Sequence, residues 1–136
     1  MRKDIYTVMH RKLIRLIPEL PQIAEHAKLV AEGYMDLNVD ILRRTEAYTD
    51  LALSHYYKHP SGDMIADPDM EIRVWNYGAV EALAFQDIGG YRRVYDDVDG
   101  RAVVYPVVKK SLNSFLNLWL GNLIEQGHRM VERDAP

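Results

Sequence analysis

Apolar and polar residues alternate along three stretches in the middle of the chain, at residues 35–41, 51–57 and 70–75. A period of two is typical of a β-strand with two unlike faces. Asn-Tyr-Gly at 76–78 follows the third stretch, and its glycine favours a tight turn into a returning strand over residues 80–85. The pattern therefore predicts an antiparallel sheet built around a central β-hairpin.

Apolar residues recur every three or four positions in three other stretches, which predicts helices. Residues 4–17 form an amphipathic pattern that ends at Pro18, and a narrower stripe favours a second helix between Pro21 and Gly33. A wide apolar face follows Pro106 for about five turns and predicts a long C-terminal helix. The predicted fold class is α+β: an antiparallel sheet of four to six strands, with the N-terminal helices and the C-terminal helix packed on one face.

The helix and strand patterns also predict which residues form the core. We expect buried side chains at Leu13, Leu16, Leu37, Val39, Leu51, Leu53, Ile72, Val74, Leu83, Leu112, Phe115, Leu116 and Trp119. Residues 58–69 hold two prolines and a glycine and favour a long loop. Asp99-Gly100 is a hairpin signal within residues 91–105, and an ordered loop is the alternative there.

Composition narrows the class of protein. A chain of 136 residues fits a single domain over 1–136, for which we expect a frayed tail at 132–136. The net charge of −3 disfavours duplex nucleic acid as a partner. No cysteine is present, so disulfides and thiolate catalysis are excluded. The chain begins without an apolar secretory segment and has no run near the ~20 residues of a membrane span, so we expect a cytoplasmic protein with no membrane partner.

Three stretches together resemble one family. They are the Met9–Pro18 segment ending in Arg-Leu-Ile-Pro, the Pro68–Trp75 segment with Met-Glu-Ile-Arg-Val-Trp, and the Asn113–Leu120 segment with Phe-Leu-Asn-Leu-Trp-Leu. The chain is similar to the YqiB-like family of small bacterial proteins, a domain of unknown function. That resemblance implies a fold and no established activity. The family carries acidic residues where this chain has Tyr77 and the Val107-Val108 pair, so any chemistry of those carboxylates is not expected here.

Arg73 is the most prominent candidate for ligand binding. A guanidinium group binds phosphate or carboxylate through two parallel hydrogen bonds. Trp75 shares its strand face, and with Tyr77 it would supply a stacking wall for a base or sugar. Glu81 lies across the predicted hairpin. The predicted ligand-binding residues are thus Arg73, Trp75, Tyr77 and Glu81, and the structural alternative is a cross-strand ion pair of Arg73 with Glu81 while Trp75 covers the sheet.

Other candidate constellations have simpler interpretations. A metal site is one possible role for the histidines and aspartates His55, His59, Asp63, Asp67 and Asp69. Strand residues four apart lie about 13 Å from each other, too far to share an ion, so the sequence favours a solvated loop instead. Asp96, Asp97, Asp99 and Gly100 lack the calcium-loop spacing and favour a turn. An anion-binding patch would form only if folding gathers the basic doublets at 43–44, 92–93 and 109–110. A stacking groove would likewise need folding to gather the tyrosines at 48, 56, 57, 77, 91 and 95. We expect neither a metal nor a cofactor.

The sequence supports two classes of function. No nucleophile elbow, phosphate-binding loop, zinc-binding helix motif or dinucleotide fingerprint is present. We therefore expect a non-enzymatic cytoplasmic binding or adaptor module, with a protein partner or a second copy of the chain pairing on its strands. The alternative is an anionic small molecule held around Arg73 and Trp75, and whether such a site is enzymatic stays open.

Overall fold

The computed structural model describes residues 4–58, 60–62 and 64–133. Its first element is helix α1, Ile5–Leu16. Asp4 caps this helix, because its Oδ1 accepts a hydrogen bond of 2.8 Å from the backbone N–H of Thr7. A short 3₁₀ turn, Leu20–Gln22, follows. Between them Pro18 prevents continuation of α1, as the sequence predicts.

An antiparallel sheet follows the helix. The strands are β1 His26–Val30, β2 Leu37–Arg44, β3 Tyr48–Lys58, β4 Met64–Trp75, β5 Ala79–Asp87, β6 Gly90–Arg93, β7 Tyr95–Val98, β8 Arg101–Val104 and β9 Arg129–Arg133. In the described part of the chain seven of them form one sheet in the order β6-β5-β4-β3-β2-β1-β9, and β7 pairs with β8 alone. The connections from β1 to β6 are hairpins, so consecutive strands lie side by side.

Helix α2, Pro106–Glu125, packs against α1, and both helices contact β5. The core lies between this helical layer and one face of the sheet. Asn113 of α2 is buried, and its Oδ1 accepts a hydrogen bond of 2.9 Å from the backbone N–H of Ala82. The helix thereby covers part of the β5 edge that β6 leaves unpaired. The predicted α+β class with an antiparallel sheet and a long C-terminal helix is confirmed, whereas the strand count of four to six was too low.

The second predicted helix was wrong. Its stretch forms the 3₁₀ turn and then β1, where Ala27 and Leu29 are buried and their neighbours are half-buried. Ala27 pairs with Val39 and Leu29 with Leu37, so pairing with β2 buries both residues on one face. The apolar pattern of this short segment fits both the helical period and the strand period. In such a case the contacts with neighbouring strands decide which structure forms.

The predicted long loop at 58–69 was also wrong. Strands β3 and β4 extend into it, and their pairing runs through Tyr56 opposite Ala66 to Lys58 opposite Met64. Backbone pairing therefore continues beyond the hydrophobic alternation from which the strands were predicted. Of the residues between these two strands, the structure describes 60–62.

Residues 91–105 contain the predicted hairpin. Strands β7 and β8 are joined at Asp99-Gly100, whose φ angles are 52° and 78°. Two successive residues with positive φ are typical of the primed turns that join tightly paired strands. The residues before this hairpin form β6, which pairs with the end of β5.

The predicted core residues are buried with two exceptions. Leu83 is half-buried and lies beside the irregularity in the β4–β5 pairing. Phe115 is 36% exposed, and its ring meets that of Phe85 edge-on at a centroid distance of 5.3 Å. It therefore lies at the border of the core. The single-domain boundary and the frayed tail stay predictions, since β9 ends at Arg133 and residues 134–136 lie outside the description. Among the described residues, no helix has both the length and the apolar character needed to cross a bilayer.

Candidate functional site

Four charged residues of alternating sign form a row across neighbouring strands. The strand register places Arg43 of β2 opposite Asp50 of β3, Asp50 opposite Arg73 of β4, and Arg73 opposite Glu81 of β5. Their side chains point away from the core, because Leu51 and Ile72 beside them point into it. We call Arg43, Asp50, Arg73 and Glu81 the charged row.

Arg73 binds Asp50 rather than Glu81. Its Nε and Nη2 donate hydrogen bonds of 2.8 and 3.0 Å to the two carboxylate oxygens of Asp50, which is only 2% exposed. Arg43 approaches the same carboxylate at 3.3 Å. Arg73 thus forms a cross-strand ion pair, as the structural alternative predicts. Its partner is Asp50 of β3 instead of Glu81 of β5. The bonds to Asp50 raise the pKa of Arg73, while burial opposes the increase.

Two aromatic rings also fix the Arg73 side chain. Its Cζ lies 3.8 Å from the centroid of the Tyr48 ring and 5.5 Å from that of Trp75. At these distances both contacts are cation–π interactions. The Nε and Nη2 edge of the guanidinium group is therefore bonded within the protein, and two aromatic rings lie beside the group.

Glu81 is the last residue of the charged row and accepts hydrogen bonds from two aromatic side chains, Trp75 and Tyr95. Its Oε2 accepts a hydrogen bond of 2.7 Å from Trp75 Nε1, and its Oε1 accepts one of 2.6 Å from the Tyr95 hydroxyl. Burial, followed by the bond to Glu81, raises the pKa of Tyr95. Trp75 is therefore fixed through its indole N–H, with Arg73 near its ring.

Tyr77 completes the aromatic wall that the sequence predicts. Its ring stacks on Trp75 with a centroid distance of 5.6 Å and an interplanar angle of 26°. Tyr77 lies in the β4–β5 turn, which is closed by a hydrogen bond of 3.0 Å from the Gly78 N–H to the Trp75 carbonyl. Gly78 has a φ of 103°, which the absence of a Cβ permits. The turn leaves Tyr77 78% exposed, so one face of this stack meets solvent.

A cleft of about 240 Å³ lies beside this stack. We call it the aromatic cleft; it is lined by Asp4, Tyr6, Thr7, Trp75, Tyr77, Ala79, Glu81 and Lys109. The start of α1, the β4–β5 hairpin and the first turns of α2 thus meet around one space. Three of the four predicted ligand-binding residues line it, and Arg73 lies behind Trp75.

Lys109 is the cation of this cleft. Its Nζ lies 5.9 Å from the centroid of the Tyr6 ring and 5.7 Å from that of Tyr95. Within the described ranges it forms no ion pair. Asp4, by contrast, is engaged in capping α1, and that hydrogen bond lowers the pKa of its carboxyl group. The arrangement offers a planar wall for stacking and a positive charge at another side of the same space.

Sequence reasoning missed the parts of the cleft that come from the two helices. Asp4, Tyr6 and Thr7 meet Lys109 across more than 100 positions of the chain. The one available signal was the basic doublet at 109–110, whose role depends on where α2 begins. Residues of the other two basic doublets have separate partners: Arg44 donates to the carbonyl of Leu20, and Arg93 forms an ion pair with Asp96.

The metal-ligating candidates are not brought together by the described structure. His55 is buried, and its Nδ1 is 2.8 Å from the carbonyl oxygen of Asp36. Burial lowers the pKa of His55 and raises that of Asp69. His59 and Asp63 lie outside the described residues. In the described ranges no group of three or more histidine and acidic side chains is placed to hold a metal ion.

Comparison with protein families supplies one match, over residues 9–129: a domain of unknown function, DUF6908. The chain belongs to the DUF6908 family. That range contains the strands β1 to β8, helix α2, and every cleft residue except Asp4, Tyr6 and Thr7. Searches of curated proteins and of solved structures found no match. The similarity to the YqiB-like family stays a prediction.

Proposed function

We propose that this DUF6908 protein is a non-enzymatic cytoplasmic binding module whose aromatic cleft takes a small molecule with a planar ring and an anionic group. The observation that carries the proposal is the exposed face of the Trp75–Tyr77 stack in a cleft whose cation, Lys109, has no carboxylate partner among the described residues. A planar ring stacks on the aromatic wall, and its anionic group is attracted to the ammonium group.

Arg73 positions the wall in this proposal and does not contact the ligand. Its Nε and Nη2 are bonded to Asp50, and a ligand that took these two donors would have to break that pair in a half-buried place. The rings of Tyr48 and Trp75 pack beside its guanidinium group. The anionic group of the ligand is therefore assigned to Lys109, which lines the cleft and forms no ion pair among the described residues.

The hydrogen bonds in the cleft favour binding over catalysis. Glu81 accepts from two donors, and Asp4 accepts from the first turn of α1. A general base works best with a pKa near the operating pH, and the bond from the Thr7 N–H lowers the pKa of Asp4, which makes its carboxylate a weaker base. Both carboxylate oxygens of Glu81 already accept hydrogen bonds from side chains of the protein.

Thermal unfolding with a panel of ring-bearing anions tests the proposal. The panel includes nucleotides, sugar phosphates, aromatic carboxylates and umbelliferyl phosphate, which carries a fused planar ring on a phosphate. A ligand at 100 times its Kd stabilises the folded state by about 2.7 kcal/mol. We expect Tyr77→Ala and Lys109→Met each to reduce the affinity of a hit by about tenfold or more, because each removes one of the two recognition elements.

Two variants outside the cleft serve as matched controls. Tyr34 is an exposed tyrosine in the β1–β2 connection, and Lys28 lies on β1, four strands away from β5. Tyr34→Ala and Lys28→Met should leave the affinity unchanged. A panel without any hit, or a hit whose affinity is the same in all four variants, would refute binding in the aromatic cleft.

A protein partner is the second candidate, favoured by surfaces other than the cleft. Strand β9 has one neighbour in the described sheet, β1, so its other edge is open to pairing. Val107 is 82% exposed on α2, and Leu118 on the same helix is also exposed. Light scattering would detect a dimer, and affinity purification from the native host would detect another partner. A monomer without a reproducible partner would exclude this candidate.

We also propose that the family relationship extends to the YqiB-like bacterial proteins. The three sequence motifs that support it fall on α1, β4 and α2, which pack around the same part of the core. Asn113, the first residue of the third motif, bonds the edge of β5 through its side chain. A solved structure of a YqiB-like protein with a different strand order would contradict this relationship.

A further inference from the structure

A second hollow adjoins the aromatic cleft and differs from it in character. It has a volume of about 510 Å³ and is mostly apolar. Its lining residues are Ile5, Tyr6, Val104, Pro106, Lys109, Lys110, Asn113 and Ser114. Val104 is an exposed apolar residue at the end of β8. We call this hollow the apolar groove.

The cleft and the groove meet at two residues. Tyr6 and Lys109 line both spaces, so the positively charged residue Lys109 lies where the two spaces adjoin. A molecule that extends from one space into the other must pass this charge. The junction therefore selects for a negative group in the middle of such a molecule.

The groove continues along the outer face of α2. The adjoining surface hollow, of about 540 Å³, is lined by Pro106, Val107, Lys110, Ser111 and Ser114. Pro106, Lys110 and Ser114 border both hollows. From Val107 to Ser114 the helix rises about 10 Å. Val107, at 82% exposed, is the most accessible large apolar side chain in the described part of the chain, and burial of such a side chain stabilises a complex.

We propose that the natural ligand has three parts: a planar ring in the aromatic cleft, a phosphate or carboxylate at Lys109, and an apolar chain in the apolar groove. This inference rests on the proposed function and names its ligand class. Two observations support it: Tyr6 and Lys109 line both the cleft and the groove, and Lys109 and Lys110, which both line the groove, form no ion pair with a carboxylate in the described ranges. An acidic amphiphile with an aromatic head has the complementary charge and shape.

Three probes separate the contributions of the parts. Umbelliferyl phosphate has the ring and the anion, octyl phosphate has the anion and the chain, and umbelliferyl octyl phosphate joins all three. Calorimetry on the full chain, below the concentrations at which the octyl compounds form micelles, gives a Kd for each. We expect the joined probe to bind about 100-fold more tightly than umbelliferyl phosphate, because the chain adds apolar burial without a second association cost.

Three substitutions assign each part to its place. Val107→Asp should weaken both octyl compounds by about tenfold and leave umbelliferyl phosphate unchanged. Tyr77→Ala should weaken both umbelliferyl compounds by about tenfold and leave octyl phosphate unchanged. Lys109→Met should weaken all three. Leu118→Asp is the matched control, since Leu118 is an exposed apolar residue of α2 outside both hollows, and it should change none of them.

The outcomes distinguish failure of this inference from failure of the proposed function. Equal affinities for the joined probe and umbelliferyl phosphate would overturn the chain site and leave the aromatic cleft in place. Binding of octyl phosphate without umbelliferyl phosphate would refute both the cleft and the three-part ligand. Tight binding of the joined probe that neither Val107→Asp nor Tyr77→Ala reduces would place it elsewhere on the protein and overturn the inference.

Discussion

The charged row and the aromatic cleft share Glu81, yet they differ in how their cations are paired. In the row, Asp50 contacts two arginines, and Arg73 donates to both of its carboxylate oxygens, through Nε and Nη2. In the cleft, Lys109 lies beside the rings of Tyr6 and Tyr95 and forms no ion pair within the described residues. The row is electrostatically complete, and the cleft retains a positive charge for another molecule.

The difference shows that a basic residue indicates a ligand-binding site only when its charge is not already paired within the protein. Arg73 is the better ligand group by chemistry, because a guanidinium fork matches phosphate. Because the strand register places Arg73 opposite Asp50, its Nε and Nη2 bond that carboxylate within the protein. Lys109 is the plainer cation, and its place at the start of α2 leaves it accessible to a ligand.

Breaking the row at Asp50 should have the largest effect on stability. Asp50→Asn removes the charge that two arginines share and leaves Arg73, 24% exposed, without its carboxylate. We expect a loss of about 3 kcal/mol in the free energy of unfolding, measured with urea. Arg43→Ala is the control, because Arg43 is 61% exposed and should cost less than about 1 kcal/mol. Equal losses for the two variants would contradict the central place of Asp50.

Glu81 tests the junction between the two regions. Glu81→Ala leaves the Trp75 indole N–H and the Tyr95 hydroxyl without their acceptor. We expect a loss of about 2 kcal/mol in unfolding free energy, together with weaker binding of umbelliferyl phosphate, because the wall loses its fixed orientation. Glu71→Ala on the exposed surface of β4 should change neither quantity appreciably. A destabilised variant with unchanged binding would show that Trp75 is not part of the wall.

Most of the fold could be predicted because its signals are local. The alternation in β2, β3 and β4, the Gly78 turn and the apolar face of α2 each depend on neighbouring residues. Strand β1 could not be predicted, since its five residues fit both periods and pairing on both sides, with β2 and β9, decides between them.

The candidate site was predictable only where it lies on one hairpin. Trp75, Tyr77 and Glu81 come from β4, its turn and β5, so the sequence indicates their proximity. The partner of Arg73 depends on which neighbouring strand offers the better carboxylate, and the hairpin pattern alone favoured the wrong one. Lys109 and Tyr6 come together through packing between α1 and α2, which no local pattern encodes.

Tyr95 connects the row to the cleft cation and gives a pH-dependent test. The pKa of Tyr95 is raised by burial and by its bond to Glu81, so the folded state holds the phenol proton more tightly than the unfolded state. The unfolded state releases this proton from about pH 10 upward, and stability therefore falls as pH rises above that value. Tyr95→Phe should cost about 1 kcal/mol at neutral pH. It should also remove part of the alkaline loss, which urea unfolding from about pH 8 to about pH 11 would measure. Equal alkaline slopes for the two proteins would contradict the Glu81 bond.

Lys109 should have the smallest effect on stability. Its ammonium group is half-buried and lies beside two rings without an ion pair in the described ranges, so Lys109→Met removes a weak cation–π attraction and keeps a similar apolar stem. We expect the free energy of unfolding to change by less than about 0.5 kcal/mol. Binding of umbelliferyl phosphate should nevertheless fall by about tenfold or more, because the anion loses its only cation in the described lining of the cleft. Asp50→Asn and Lys109→Met would then separate the two properties, the first costing stability and the second costing binding. A large loss of stability in Lys109→Met would mean that this charge also serves the fold, and the contrast between the row and the cleft would fail.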